Sequence, residues 1–173
     1  MTFVKALFLS MLITSTANAE EFRDFSRSQP NCETFTVGAT GHSDYCKGPH
    51  GYGLVLHYRR ARIDLEIVRP DKKRGSKVHR LVDYLGDGQR TFSGDTIRWH
   101  IVDGRAVAFA MNFEVEPQAY EQFIPLSLIF RVDEGDGAND CPIATIGQGS
   151  KLQADKIMMA YAERRCRPVF PKQ

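Results

Sequence analysis

His57 and Asp64 are the two side chains of this sequence whose types and spacing suit acid–base chemistry. They fall on the polar faces of two neighbouring segments with alternating apolar residues, and the hairpin that these segments predict makes them diagonal neighbours within hydrogen-bonding reach. A carboxylate that orients an imidazole can support general-base catalysis. No nucleophile is identified beside the pair, and the sequence lacks G-x-S-x-G, phosphate-binding glycine loops and H-E-x-x-H. We interpret the pair as a surface contact between strands and keep a small hydrolase as the alternative.

Two other groups of residues could hold a metal ion. His42, His50 and His57 could converge through the loop around Cys46, although histidines in a polar loop are more often plain surface residues. An oxygen-rich loop near the end of the chain contains Asp133, Glu134, Asp136, Asn139 and Asp140. Its spacing departs from the calcium-binding pattern D-x-[DN]-x-[DN]-G, and no bidentate glutamate follows at the required distance. The sequence therefore predicts no metal and no cofactor, with a metal-handling protein that uses the His42/His50 loop as an alternative.

Aromatic and basic residues at the same hairpin could form a binding edge for a protein or a saccharide. Tyr52 and Tyr58 border its first strand, and Arg59 and Arg60 follow directly. Tyrosine and arginine are enriched in protein interfaces, whereas tyrosines that border a core strand also serve simply to pack. The candidate binding residues are Arg59, Arg60, Tyr52, Tyr58, His57 and Asp64.

The charge of the chain is nearly balanced, with 23 Lys and Arg against 21 Asp and Glu, which indicates neither nucleic acid nor a membrane surface as a partner. Its distribution is uneven. Residues 59–80 contain nine basic and three acidic side chains, and residues 114–140 contain seven acidic side chains against Arg131. Solvated loops on two sides of a domain, a basic edge that docks an acidic partner, and an internal contact between the two regions are all compatible with this pattern.

The N-terminal residues have the features of an export signal. Lys5 provides a positive charge, residues 6–13 are apolar, and Ala17-Asn18-Ala19 matches the small-x-small pattern that signal peptidase requires. The apolar run is far shorter than the roughly 20 residues that cross a bilayer. We therefore expect a cleaved signal peptide over residues 1–19, no membrane span, and a periplasmic or secreted product.

Four cysteines in an oxidising compartment predict two disulfides. Three connectivities are possible, and we favour Cys32–Cys46 with Cys141–Cys166 because each pair closes a short local loop. The chain-entropy model gives about 3 kcal/mol of stabilisation for each bridge.

Alternating apolar residues predict two β-hairpins after a flexible lead over residues 20–31. In the first hairpin, residues 52–58 pair with residues 63–67 across a four-residue turn, so that Leu56 lies opposite Ile63.

In the second hairpin, residues 97–101 pair with residues 107–115. A three-residue loop at 102–104, with a left-handed glycine and a G1 bulge, places Phe109 opposite Ile97 and keeps the large apolar residues on one face. The small residues on the reverse face, Ala106, Ala108 and Ala110, suggest close packing there, for example against a helix.

The remaining segments complete a mainly β (α+β) domain over residues 32–173. Residues 78–85 fit a strand or a short helix, and residues 126–132 and 141–146 fit strands. A capping box that begins at Ser150 starts a C-terminal helix over about 150–166. We expect six or seven antiparallel strands, as a meander or small barrel, with this helix covering one side or end.

Several features taken together resemble a group of small exported proteins of proteobacteria without an assigned activity. These features are the signal peptide, Gly51-Tyr52-Gly53, the hairpin over residues 95–113 that contains Trp99 and Phe109, and the segment from Cys141-Pro142-Ile143-Ala144 to Cys166. The resemblance implies a periplasmic location, a Cys141–Cys166 bridge and no inherited active site. A looser similarity, in size, compartment and class only, is to periplasmic inhibitors of C-type lysozyme, whose Ser-Gly-Arg-Tyr loop has no counterpart here.

The sequence thus favours an exported, disulfide-stabilised, non-catalytic binding domain that contacts a protein or envelope component. Export, the predicted bridges and the missing catalytic signatures are the observations on which this expectation rests.

Overall fold

The described residues of this protein form ten antiparallel strands in two sheets. The computed structural model describes residues 19–28, 30–38, 41–59, 62–71, 78–85, 88–117, 123–133, 140–147 and 151–161. In spatial order, sheet A consists of β1 (Glu20–Ser26), β7 (Gly88–Val102), β8 (Arg105–Pro117), β9 (Ile124–Arg131) and β10 (Cys141–Gly147). Sheet B consists of β2 (Cys32–Val37), β3 (Gly41–Lys47), β4 (Gly53–Arg59), β5 (Arg62–Val68) and β6 (Val78–Arg80). The helical elements are a 3₁₀ turn (Pro49–Gly51), α1 (Val82–Leu85) and α2 (Lys151–Tyr161).

The main core lies between the two sheets. Leu56 and Leu65 of sheet B belong to the same buried cluster as Trp99, Phe109 and Phe130 of sheet A. The rings of Phe109 and Phe130 are stacked with centroids 5.4 Å apart. The mainly β class, the C-terminal helix and the consecutive antiparallel pairing of a meander are confirmed, along β2 to β6 in sheet B and β7 to β10 in sheet A. The expected count of six or seven strands and the small barrel are wrong. The described strands form two separate sheets of five, because alternation assigns a buried face to each strand without deciding which sheet the strand joins.

Helix α2 covers the other face of sheet A. Ala154 and Met158 of α2 are buried in a second cluster with Ala108, Ala110 and Ile129. The small side chains of β8 let the helix approach closely, as the sequence predicts. Ala106, the third alanine of that row, instead belongs to the main core. Ser150 and residues 162–166, which the sequence assigns to the helix, lie outside the described residues.

The first hairpin forms with a tighter turn than predicted. Leu56 lies opposite Leu65, and Arg59 lies opposite Arg62. The predicted pairing of Leu56 with Ile63 is therefore wrong by two positions. A slip of two residues leaves every side chain on its own face, so the apolar pattern cannot distinguish the two registers.

The second hairpin turns at Asp103 and Gly104, whose φ angles are 50° and 75°. Two positive φ angles define a two-residue type I′ turn, so the left-handed glycine is confirmed and the three-residue loop is wrong. The register shifts between His100 and Ile101, which leaves Val107 as the extra residue. This bulge lies within the strand rather than at the turn, and it places Trp99 opposite Phe109.

The segment predicted as a flexible lead contains strand β1, which pairs along its whole length with β7. Phe25 packs against the main core and Phe22 against the cluster beneath α2. The polar composition of residues 20–26 hid this strand, since an edge strand is stabilised by main-chain hydrogen bonds and is often charged.

The Cys32–Cys46 bridge is present and joins two directly opposite residues of β2 and β3. Cys141 is disulfide-bonded as well. Cys166, which the sequence predicts as its partner, lies outside the described residues.

Candidate functional site

The face of sheet B that points away from the core carries three of the six candidate binding residues, His57, Arg59 and Asp64. We call it the outer face of sheet B and define it by Phe35, Val37, Ser43, His57, Arg59, Arg62, Asp64, Glu66, Val78 and Arg80. Three of its apolar side chains are exposed, at 44% for Phe35, 45% for Val37 and 51% for Val78. The corresponding face of sheet A lies beneath α2. Among the described residues, no helix covers the outer face of sheet B, and its apolar side chains are exposed.

His57 stands at the centre of this face. Its Nδ1 lies 2.9 Å from Oγ of Ser43, and its Nε2 lies 3.2 Å from Oε2 of Glu66. Asp64 is the register partner of His57 on β5, yet the imidazole hydrogen bonds to Glu66, two residues further along. His57 and Asp64 are thus neighbours, but the carboxylate that orients the His57 imidazole belongs to Glu66.

Ser43, His57 and Glu66 have the residue types of a hydrolytic triad. Ser43, however, is only 1% exposed. A nucleophile must touch the substrate carbonyl, and this hydroxyl lies beneath the surface of the sheet. We conclude that Ser43 and Glu66 fix the orientation of the His57 imidazole through hydrogen bonds.

Arg59 and Arg62 lie directly opposite one another at the end of the β4–β5 hairpin, and both are exposed. Neither forms an ion pair with any residue that the structure describes. Like charges directly opposite one another on neighbouring strands are destabilising. Arg80 extends the basic area on the next strand, opposite Asp64. Arg60 lies outside the described residues.

The two candidate tyrosines lie elsewhere. Tyr52 is half-buried, with its ring centroid 6.4 Å from that of Trp99. Tyr58 stacks on His42 with a centroid separation of 4.4 Å. Burial of its ring, together with the nearby Asp44 carboxylate, raises the pKa of Tyr58 to about 12. Both tyrosines pack against the main core, so they do not join His57 and the arginines in one surface.

The histidines considered as metal ligands point to separate places. The ring of His42 stacks on that of Tyr58, and Nε2 of His50 lies 4.0 Å from Oε1 of Glu21. Both ring nitrogens of His57 are hydrogen-bonded, one to Ser43 and the other to Glu66. Within the described ranges, no group of three His, Cys, Asp or Glu side chains could hold a metal ion.

The acidic loop contributes a buried ion pair instead of a cation site among its described residues. Nη2 of Arg69 donates to Oδ1 and Oδ2 of Asp140 at 2.5 and 2.6 Å, and the two side chains are 2% and 0% exposed. Asp140 also accepts a hydrogen bond from the backbone N–H of Asp133. This pair is an internal contact between the basic and the acidic regions of the chain. Residues 134–139 lie outside the described residues.

Ser43 and Glu66 are the two site residues that the sequence pattern did not predict. Ser43 falls within a segment that its composition assigns to a loop, and the predicted register placed Glu66 farther from His57. The alternation that places Glu66 on the same face as Asp64 was the available signal.

Comparisons of the chain with protein-family models, curated proteins and solved structures find no match. In the part of the chain that the structure describes, no helix is long and apolar enough to cross a membrane.

Proposed function

We propose that this protein is an exported, disulfide-stabilised, non-catalytic binding domain that contacts a protein or envelope component in the periplasm through the outer face of sheet B. The observation that carries the proposal is the cross-strand pair of Arg59 and Arg62. Two exposed arginines occupy directly opposite positions on neighbouring strands. Like charges in such positions are destabilising, and an acidic group on a partner would relieve their repulsion. We infer that the partner presents carboxylate or phosphate groups, to which arginine binds in a bidentate manner.

The rest of this face fits such a role. Binding surfaces combine arginine with exposed apolar side chains, and Val78 lies on the strand that also carries Arg80. Because His57 is hydrogen-bonded on both ring nitrogens, its part of the surface is ordered before a partner arrives. Preorganisation lowers the entropic cost of binding.

The predicted export signal supports the proposal independently of the surface. The predicted signal over residues 1–19 and the Cys32–Cys46 bridge are both typical of proteins that work outside the cytoplasm. The hydrolase alternative requires an accessible nucleophile beside His57, and the hydroxyl in that position is buried.

The experiment is capture of envelope material from the native host by the immobilised, oxidised chain. We expect a specific partner that is released by salt and lost with Arg62→Glu. Lys156→Glu, which makes the same charge change at an exposed position of α2, is the matched control and should retain capture. Equal capture by both variants, or no partner under gentle conditions, would refute the proposal.

A further inference from the structure

Strand β2 forms the edge of sheet B, and no other described strand covers it. The described part of the sandwich has four edge strands, β1, β10, β2 and β6. Natural proteins protect such edges with charges, prolines or short strands. β6 has only 3 residues, β10 contains Pro142, and β1 carries four charged residues, Glu20, Glu21, Arg23 and Asp24. β2 has 6 residues, is exposed after Cys32, and has Glu33 as its single charge.

The main-chain groups that β2 presents to solvent follow from its pairing with β3. The N–H of Lys47 donates to the carbonyl of Asn31, whereas the N–H of Cys32 points away from β3 and donates to Ser28. The short Cα separation of 4.0 Å between Cys32 and Cys46 also marks a pair that exchanges no hydrogen bonds. The direction of the main-chain N–H and C=O groups alternates from residue to residue along a strand. The main-chain groups of Thr34 and Thr36 therefore point away from β3, in the plane of the sheet. No described strand lies on that side.

We propose that β2 pairs antiparallel with β2 of a second copy of this chain, around a twofold axis at Phe35. In this register Thr34 lies opposite Thr36 of the second copy, and each such pair exchanges both N–H···O=C bonds. Phe35 then faces its own copy at the closely spaced position that forms no hydrogen bonds. Sheet B of one copy then continues into sheet B of the second copy, which gives one continuous sheet across the dimer.

A second copy fits this edge because the strand is complementary to itself. The twofold register brings two exposed phenyl rings together on the outer face, an arrangement that stabilises antiparallel strands. Glu33 lies opposite Val37 of the second copy, and it is already paired with Lys47 at 2.9 Å. No like charges meet, and the strand offers no excess charge by which to select a foreign strand. The inference uses a sheet edge rather than the arginine pair, so it does not depend on the proposed function.

Sedimentation velocity over a concentration series of the oxidised chain tests the proposal. We expect the average sedimentation coefficient to rise from that of a monomer toward that of a dimer. Thr36→Pro removes an outward N–H without breaking a bond to β3, and should keep the chain monomeric. Thr36→Val retains the N–H and should behave as the parent chain, and circular dichroism verifies that each variant folds.

Phe35→Cys tests the register itself. Two cysteines on the twofold axis lie within the Cα separation that a disulfide requires, so mild oxidation should give a covalent dimer on a non-reducing gel. Val78→Cys, at an equally exposed apolar position on β6, should not crosslink. A parent chain that stays monomeric throughout, or a Thr36→Pro variant that dimerises normally, overturns the proposal. Arg62→Glu should leave the dimer intact, which separates this inference from the failure of partner binding.

Discussion

Arg98 of β7 forms a bidentate, hydrogen-bonded ion pair with Asp155 of α2. Its Nε donates to Oδ1 at 2.6 Å and its Nη2 donates to Oδ2 at 2.8 Å, while Nη1 donates to Asp24 of β1 at 2.9 Å. These contacts raise the pKa of the guanidinium above its ordinary value. One side chain thus joins the edge strand, its neighbour and the covering helix.

Replacement of this arginine should loosen the helix. We expect Arg98→Met to lower the free energy of unfolding by about 2 kcal/mol, since charge-assisted hydrogen bonds contribute roughly 1.5–3 kcal/mol. Urea denaturation measures the change. Arg80→Met removes an exposed guanidinium from β6 and should have little effect. Equal losses for the two variants would show that Arg98 does not hold the helix.

Acidification should weaken the same junction through Asp24. Partial burial resists ionisation of this carboxyl, but hydrogen bonds from Lys151 and Arg98 outweigh it and hold the pKa of Asp24 below its usual value. A lowered pKa in the folded state gives stability that is present above the unfolded pKa, near 4, and is lost as the pH falls through the folded pKa. Urea midpoints at a series of pH values should fall less steeply below about pH 4 in Asp24→Asn than in the parent chain. Parallel profiles contradict this prediction.

Tyr58 should ionise later than an ordinary tyrosine. Because burial and Asp44 raise its pKa to about 12, its ionised form is disfavoured in the folded state. The stability associated with Tyr58 is present below about pH 10 and declines as the pH rises toward the folded value. An ultraviolet titration should show a late tyrosinate step that Tyr58→Phe removes. Tyr45→Phe, on the neighbouring strand β3, should leave that step in place.

The buried pair of Arg69 and Asp140 should be costly to break from one side only. Asp140→Ala leaves the Arg69 guanidinium, which is 2% exposed, without its carboxylate partner. We expect the free energy of unfolding to fall by about 3–5 kcal/mol. The double variant Arg69→Met with Asp140→Leu removes both charges and should lose less. Glu33→Ala, which breaks an exposed ion pair with Lys47, should leave the free energy of unfolding nearly unchanged, because solvent screens exposed pairs. A double variant less stable than the single one would contradict this account.

The buried residues of each hairpin and the position of the terminal helix could be predicted from the sequence. Trp99 alternates with polar neighbours and Phe109 with alanines, and a two-residue period places the large apolar residues on one face of each strand. The cysteine pair Cys32–Cys46 could also be found, because the two residues are close in sequence.

Only the tertiary structure decided the register, the number of sheets and the composition of the site. Strands that slip by two residues keep the same apolar face, so no local pattern could choose Glu66 over Asp64 as the partner of His57. Strand β1 is polar in sequence and exists because β7 supplies its hydrogen bonds. Ser43 is buried because neighbouring strands enclose it, and the sequence marked it only as part of a loop. Alternation is a local property, whereas pairing depends on contacts between segments far apart in the chain.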